Sequence, residues 1–489
     1  MRNQLLLAGS ACLLGACASL PGDRGIVTSN ELLAARSGVA AQVQWPFSAS
    51  AESTLKDLLA QPLDADAAVR VALVRSPRLG ALYAQLGLTQ AQAYDASRLS
   101  NPQLGFMRSA GDNAVRTTWS LTQRFTELLF LGYHRAQGRG AVLQAQQQVA
   151  DAVLQLELEV RTAYYRYIGA QLIAQLHDQS ALAAQASAQY AQALYDVGNI
   201  SELQLSREKV AASQARIAER EATSQAGTQR ASLLSVMGLA VPQQVEFVER
   251  LEVPVEQMLA AQSLQDWALQ HRLDLSILHT QNDLLGAART HVRRWFWLDD
   301  ASVQFERERE LDGARLDGVG GSVGVPVFNT GAGARLRADA QLEEVQSRIR
   351  ILQLELANSL PEQIAALQRA RLNVEDYRQQ LLPLQERVVE LSQQQQNYML
   401  IGTFELINAR RDLLGTYQDY LQAVSAFWLQ QVELARTVGG RLPESTGDAS
   451  YGISVGVDAL PAEDPPDSTT DDMGHAGMDM SASGEESLP

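Results

Sequence analysis

The chain repeats itself at a distance of 203 residues. Tyr195, Glu202, Leu203 and Arg207 recur as Tyr398, Glu405, Leu406 and Arg410, with the same spacing within each set. Each set interrupts a helical stretch with a glycine, in LYDVGNISELQLSR and NYMLIGTFELINAR. Upstream, a β-like stretch ending TTWSLTQRF (117–125) has a counterpart at GSVGVPVF (321–328). A period this long exceeds any small solenoid unit. It describes two similar halves joined end to end, each ordered helix, strand pair, long helix, turn, helix. The 489 residues therefore read as one architecture built twice rather than as unrelated domains.

Within each half the periodicity changes abruptly. Residues 64–98 are rich in Ala, Leu, Arg and Gln and read as helix, with Pro77 near a turn, until Asn101-Pro102 stops them. From Gln103 to Phe125 short alternating runs flank the polar turn SAGDNAVR; Trp119 and Leu121 share one parity, Ser120 and Thr122 the other. Apolar on one side and polar on the other is the signature of a membrane-barrel strand. A long helix is expected from about Arg135 to Tyr195. Its Val149, Val153, Leu156, Val160, Ala163, Tyr167 and Ala170 alternate steps of four and three, forming one coiled-coil seam. Gly169 is the one candidate breaker, so a single rod is expected rather than a chain of short helices. After Val197-Gly198-Asn199 a second helix returns to about Met237.

The second half predicts a helix over 263–293, strands near 301–308 and 320–328, a long helix over about 333–397, a turn at Gly402 and a helix to Val438. Leu342, Val345, Ile349, Leu352 and Leu356 carry its seam. The charged, glycine-rich DGARLDGVGG (312–321) reads as an exposed connection between strands. Arg294-Trp295-Phe296-Trp297 reads either as part of an interfacial aromatic girdle or as a helix end packed by aromatics.

The formal charge of −16 is unevenly spread. Residues 444–489 hold eleven acids and no Lys or Arg, leaving −5 for the rest. A nearly balanced body with an acidic tail argues against nucleic-acid binding. The N-terminus has the form of an export signal, Arg2 followed by an apolar run from Leu5 to Leu14 and then small residues. Cys12 lies within that signal, so only Cys17 follows it and no internal disulfide is possible after cleavage. No later stretch approaches the ~18 apolar residues of a spanning helix. If the mature chain crosses a membrane, it does so with strands.

In the tail, MGHAGMDM holds Met473, His475, Met478 and Met480. Thioether and imidazole suit soft Cu(I) or Ag(I), and methionine sulfur would not select zinc or calcium. The competing reading is an acidic terminus of low complexity with no ligand. His134, His177, His271, His279 and His291 are dispersed on helical stretches, and no HExxH, CxxC, GxSxG or phosphate loop is present. An enzyme is not expected, and no cofactor is required beyond transient Cu(I)/Ag(I) on the tail.

Taken jointly, the duplicated helix–hairpin–long-helix order and the paired Tyr…Gly…Glu-Leu turns resemble the TolC-type outer-membrane factors of bacterial efflux and secretion systems. The resemblance covers about residues 56–440, and FELINARRDLL…YLQAVSAFWLQQVELARTVGGRLP looks most like the heavy-metal and copper branch. Leu14-Gly15-Ala16-Cys17 resembles a lipoprotein cleavage box, which implies lipid attachment at Cys17 and, with Ala18 rather than Asp next, the outer membrane. The alternative is an ordinary signal peptide that contains a cysteine.

What the resemblance implies is a mainly α fold with β. Each protomer gives four strands to a trimeric 12-stranded outer-membrane β-barrel, above a long α-helical periplasmic barrel. The domains would be a signal peptide (1–16), a lipidated arm (17–55), a first repeat (56–240), an equatorial linker (241–262), a second repeat (263–440) and a disordered tail (441–489). Implied partners are two further copies, a periplasmic adaptor, an RND-type inner-membrane pump and outer-membrane lipid. Tyr195, Gly198, Glu202 and Leu203 map onto one adaptor-facing tip; Tyr398, Gly402, Glu405 and Leu406 map onto the other. Arg207, Glu405 and Arg410 are gate candidates beside Glu202. From another class, the chain reads as a periplasmic copper-sequestering lipoprotein with no channel. The leading reading is a passive exit duct for Cu(I)/Ag(I) or other heavy-metal ions delivered by adaptor and pump; within the class, the alternative cargo is drugs or organic solvents.

Overall fold

The computed structural model describes residues 26–34, 36–37, 49–111, 114–240, 245–253, 261–298, 301–310, 313–325, 327–328, 330–442 and 454–455. The segment read as an export signal, Cys17 and the Met/His cluster of Met473, His475, Met478 and Met480 lie outside the described residues.

Eleven helices and six strands follow in order among the described residues: α1 Ile26–Ala34, α2 Ala49–Leu59, α3 Ala65–Arg75, α4 Pro77–Ala96, β1 Gln103–Gly111, β2 Ala114–Arg124, α5 Phe125–Asp196, α6 Glu202–Val236, β3 Leu251–Glu252, α7 Ala261–His271, α8 Leu273–Trp295, β4 Ala301–Arg309, β5 Arg315–Val323, α9 Ala332–Asp376, α10 Leu382–Asn397, α11 Thr403–Val438 and β6 Ser454–Val455. The two halves thus share one order of parts.

Helix α5 is a single rod of 72 residues, about 110 Å long. It begins at Phe125, ten residues earlier than expected, running directly out of β2 with no intervening loop. Six members of its predicted seam, from Val149 to Tyr167, are buried. Gly169 does not break the helix. A Cβ there would come within 2.6 Å of Ser425 Oγ, so the glycine admits α11 against α5.

The second half departs from its template. Its long helix is not one rod: α9 contains Pro361, and a π-helical turn at Tyr377–Leu381 separates it from α10. Pro383, near the start of α10, has no N–H for the carbonyl four residues back. The widened turn rebonds the backbone there, with the Leu382 N–H donating to Tyr377 O. The helix expected over 263–293 is two helices, bent at Arg272, whose guanidinium bonds both Asp274 and the Thr437 carbonyl.

Strands β1, β2, β4 and β5 form one antiparallel sheet in that order, leaving β1 and β5 as its edges. Here DGARLDGVGG is a correction: most of it is β5, paired residue for residue with β4 from Arg309↔Arg315 to Ala301↔Val323. The expected strand at 320–328 therefore lies too late, because glycines that look like a loop are held extended by their partner strand. Register places Leu104, Leu121, Phe305 and Val319 in one row across one face, with Phe106 and Trp119 beside them. All are exposed. The opposite face carries Gly105, Ser120, Glu306 and Gly318 in register.

The core sits at the waist of the rods, where α3, α4, α7 and the linker strand β3 pack on α5 and α11. The segment read as an arm over 17–55 is not structureless: it holds α1 and most of α2. In α1, Leu33 and Ser29 are fully buried, and next to it Ser37 Oγ donates to the buried Glu157 at 2.7 Å. The tail after 441 is not wholly unstructured either, since Ser454–Val455 pairs with Leu251–Glu252 as β6 against β3. Trp428 Nε1 donates to Glu252 O (2.7 Å) and Tyr164 Oη to Val248 O (3.1 Å), fixing the linker.

Candidate functional site: the paired hairpin tips

At the end of the rods away from the sheet, α5 turns into α6 and α10 into α11. Both turns use the same backbone device. In the first, Gly198 N–H donates to Tyr195 O and Asn199 N–H to Leu194 O. In the second, Met399 N–H donates to Gln396 O and Leu400 N–H to Gln395 O. This is the Schellman closure, which needs a left-handed residue just past the helix. Gly198 supplies it with φ 76°, whereas Met399 occupies it with φ 59°, alone among described non-glycine residues in having positive φ. Gly402 is not its equivalent. It is the N-cap of α11, in extended conformation, as Ser201 is for α6.

The two turns therefore correspond at a spacing two residues shorter than the sequence repeat. Tyr195 lies in the last turn of α5, whereas Tyr398 is already the C-cap of α10. Both tyrosines are exposed, along with Val197, Leu203, Met399 and Leu400, so each tip presents an uncovered apolar cap. Glu202 and Glu405 stand exposed in the first turns of their helices, where the helix dipole favours a carboxylate. Leu406 is half-buried.

Arg207 and Arg410 are exposed. The link between the halves lies one residue beyond each. Arg411 Nη2 donates to Glu208 Oε2 at 2.9 Å, and the same oxygen accepts from Ser187 Oγ at 2.9 Å. Glu208 is buried, so α5, α6 and α11 converge on one shielded carboxylate. Attention to identical residues in the repeat missed it, because positions 208 and 411 carry opposite charges. Tyr190 and Phe404 add a ring contact with centroids 6.1 Å apart, and Tyr417 Oη donates to Glu386 at 2.6 Å to tie α11 to α10.

Above the waist, burial pushes Asp151 up to about 6, helped by neighbouring Asp274 and opposed by Arg272. Nearer the sheet, two of the dispersed histidines meet. His291 stacks on Tyr133 (4.0 Å), with His134 6.5 Å away and Phe130 against both His291 and Trp295. Trp297 lies 6.4 Å from Trp295. The Arg294–Trp297 run is thus both a helix end and part of an aromatic collar where helices meet strands. Among the described residues no group of three or more His, Cys, Asp or Glu is placed to hold a metal ion, and no helix is long and apolar enough to cross a membrane.

Residues 68–239 match the family model described as outer membrane efflux protein. No curated protein matches the sequence. Among solved structures, the chain is similar to the outer membrane protein VceC of Vibrio cholerae, with TM-score 0.62 and 13% identity over 82% of this chain and 98% of that one. It is similar to CusC, described in terms of transmembrane channel formation, with TM-score 0.56 and 15% identity over 81% and 94%. The open state of the MtrE outer membrane channel of Neisseria gonorrhoeae gives 0.55 and 16% over 76% and 88%. The fold is that of these TolC-like channels.

Proposed function

We propose that this chain is one protomer of a passive outer-membrane exit duct. The observation that carries the reading is the four-stranded sheet, apolar and uncovered on one face and open at both edges, mounted on a rod of about 110 Å. Open sheet edges are not tolerated in lipid, and about eight strands is the smallest closed membrane barrel. Copies of the chain must share one barrel, and three copies, the number the family resemblance implies, give twelve strands under cyclic closure. The helices repeat the logic. α6 packs on α5, α5 on α11, and α11 on α9 and α10, leaving α6 and α9–α10 as outer edges. Val210 and Ile217 on one edge and Leu381, Leu384 and Val388 on the other are exposed, ready to meet across copies.

In this reading the apolar tips receive a periplasmic adaptor fed by an RND-type pump, and Cys17 carries the lipid anchor. The duct opens when the α10–α11 hairpin swings away from α5–α6. Glu208–Arg411 resists that movement within the protomer, and Glu405, Arg207 and Arg410 act at the aperture. The Met473, His475, Met478 and Met480 cluster favours Cu(I) or Ag(I) as cargo over drugs or solvents, on ligand chemistry. The strand sheet weighs against a copper-sequestering lipoprotein without a channel, which has no use for it.

Conductance of the full-length protein in planar bilayers tests the duct: discrete steps from a heat-sensitive trimer are expected, and a monomer with no conductance would overturn it. Glu405→Gln is expected to raise leak. Cargo is read from a deletion strain challenged with copper, silver, cobalt–zinc–cadmium and drugs, complemented by full-length chain or one ending before Asp471. Drug sensitivity with metal tolerance intact would discard the metal reading.

A further inference from the structure

The hairpin end of the sheet carries a second pattern that channel formation does not use. Register aligns Arg108 on β1, Thr117 on β2, Arg309 on β4 and Arg315 on β5 in one row on the apolar face. With adjacent strands about 4.8 Å apart, the row spans about 14 Å. All three guanidiniums are exposed. Arg309 and Arg315 stand directly opposite each other, a cross-strand like-charge pair that disfavours the sheet unless an anion sits between them.

The neighbouring arginines at this end are neutralised. Arg116, on the opposite face, pairs with Glu308 and, at 3.1 Å, with Glu310. Arg307, one row nearer the helices, holds Asp317 through two hydrogen bonds of 2.7 and 3.1 Å. That pairing engages Asp317, whose carboxylate also feels the charge of Arg315. Among the described residues, Arg108, Arg309 and Arg315 have no carboxylate of their own; Asp112 and Asp312 of the turns lie outside those residues.

The helices enter the sheet at its other end, so in the exit-duct reading, on which this inference rests, the row lies at the outer rim of the barrel. Directly beneath it run Phe106 and Trp119 on β1 and β2 and the paired Arg307 and Asp317 on β4 and β5, and then Leu104, Leu121, Phe305 and Val319, the row that would meet acyl chains. An anion there must also be amphipathic. We propose that Arg108, Arg309 and Arg315 form a binding site for the phosphate groups of the phosphorylated glycolipid that fills the outer leaflet. Its chains lie on the apolar rows, and its phosphates bridge guanidiniums that would otherwise repel. Guanidinium forks donate to phosphate oxygens in pairs, so arginine is better suited to this row than lysine.

The test uses the full-length trimer in phosphatidylcholine nanodiscs, probed by native mass spectrometry with diphosphoryl lipid A, its dephosphorylated form and phosphatidylglycerol. Wild type is expected to retain lipid A at least tenfold better than either competitor. R108Q/R309Q/R315Q is expected to lose that preference, while R348Q/R350Q on α9 keeps it. The triple lysine variant should fall between. If the triple variant fails to form a heat-sensitive trimer, R309Q and R315Q alone should each lower retention about threefold. Unchanged retention in these variants, or equal uptake of phosphatidylglycerol by wild type, overturns the site. A conducting trimer without the preference sinks only this inference, whereas a protein that neither trimerises nor conducts sinks the exit-duct reading beneath it.

Discussion

The first long helix and the second were drawn to one plan, yet they are built to different stiffness. α5 runs 72 residues without proline, whereas its counterpart carries Pro361, a π-turn and Pro383 within the span of α9 and α10. The tips differ in the same sense, since the first closes through Gly198 and the second through Met399 in a conformation that costs an L-residue roughly 1–2 kcal/mol. Strain and irregularity gather in one half. The difference teaches that two halves can share an order of parts while only one of them is built to be rigid, which makes α10–α11 the hairpin expected to move.

The largest expected effect comes from cutting the tie between the halves. Arg411→Ala strands Glu208, whose side chain is 9% exposed, and should destabilise the tip by about 3 kcal/mol. Hydrogen exchange in α11 would report it, and adding Glu208→Gln should restore most of the loss. No change in exchange would mean that the halves are not held together there. Next is Asp151, on the stiff rod. Its raised pKa means that the group's favourable contribution is present below about pH 4 and lost as pH rises through about 6. Asp151→Asn should therefore melt higher than wild type at pH 7.5, by about 2 kcal/mol in stability, with the gap closing near pH 4. A pH-independent gap would point to packing instead.

Pro383→Ala sharpens the contrast directly. Restoring the missing N–H should let the π-turn relax to regular helix, slowing exchange over 382–397 by about 1–2 kcal/mol and leaving α6 unaltered. Equal slowing in both hairpins would undo the idea of a local joint. The smallest effect is at the turns, where Met399→Gly should stabilise its tip by about 1 kcal/mol and Gly198→Ala should weaken the other by a similar amount. Gly198 has open space around it, so a loss there reports backbone conformation and not crowding.

Much of this was legible beforehand. The seam from Val149 to Tyr167 and the parity of Trp119 and Leu121 are local patterns, and each survives as written because its periodicity is its cause. What was hidden depends on partners distant in sequence. β5 looked like a loop because Gly318, Gly320 and Gly321 have no strand propensity of their own, and only the β4 ladder makes them extended. The Glu208–Arg411 pair was hidden because a repeat search rewards identity, while a contact between the halves rewards complementarity. The arginine row needed the register of three separate strand pairs. The π-turn had one local sign, Pro383, which alone does not distinguish a kink from a helix start. Cys17 and the Met473–Met480 cluster lie outside the described residues, so the proposals that use them stand on sequence chemistry.

The junctions between strand and helix carry one more consequence. β2 passes into α5 between Arg124 and Phe125, while β5 reaches α9 only after residues 324–331 and the left-handed Gly331. A twist applied at the first tip has no slack in which to dissipate before it reaches β2. A twist at the second must pass the π-turn and then the non-helical connection over 324–331 before it reaches β5. In the exit-duct reading this makes the second hairpin the one whose turning is decoupled from the strands, because among the described residues the first hairpin is joined to its strand by an unbroken helix.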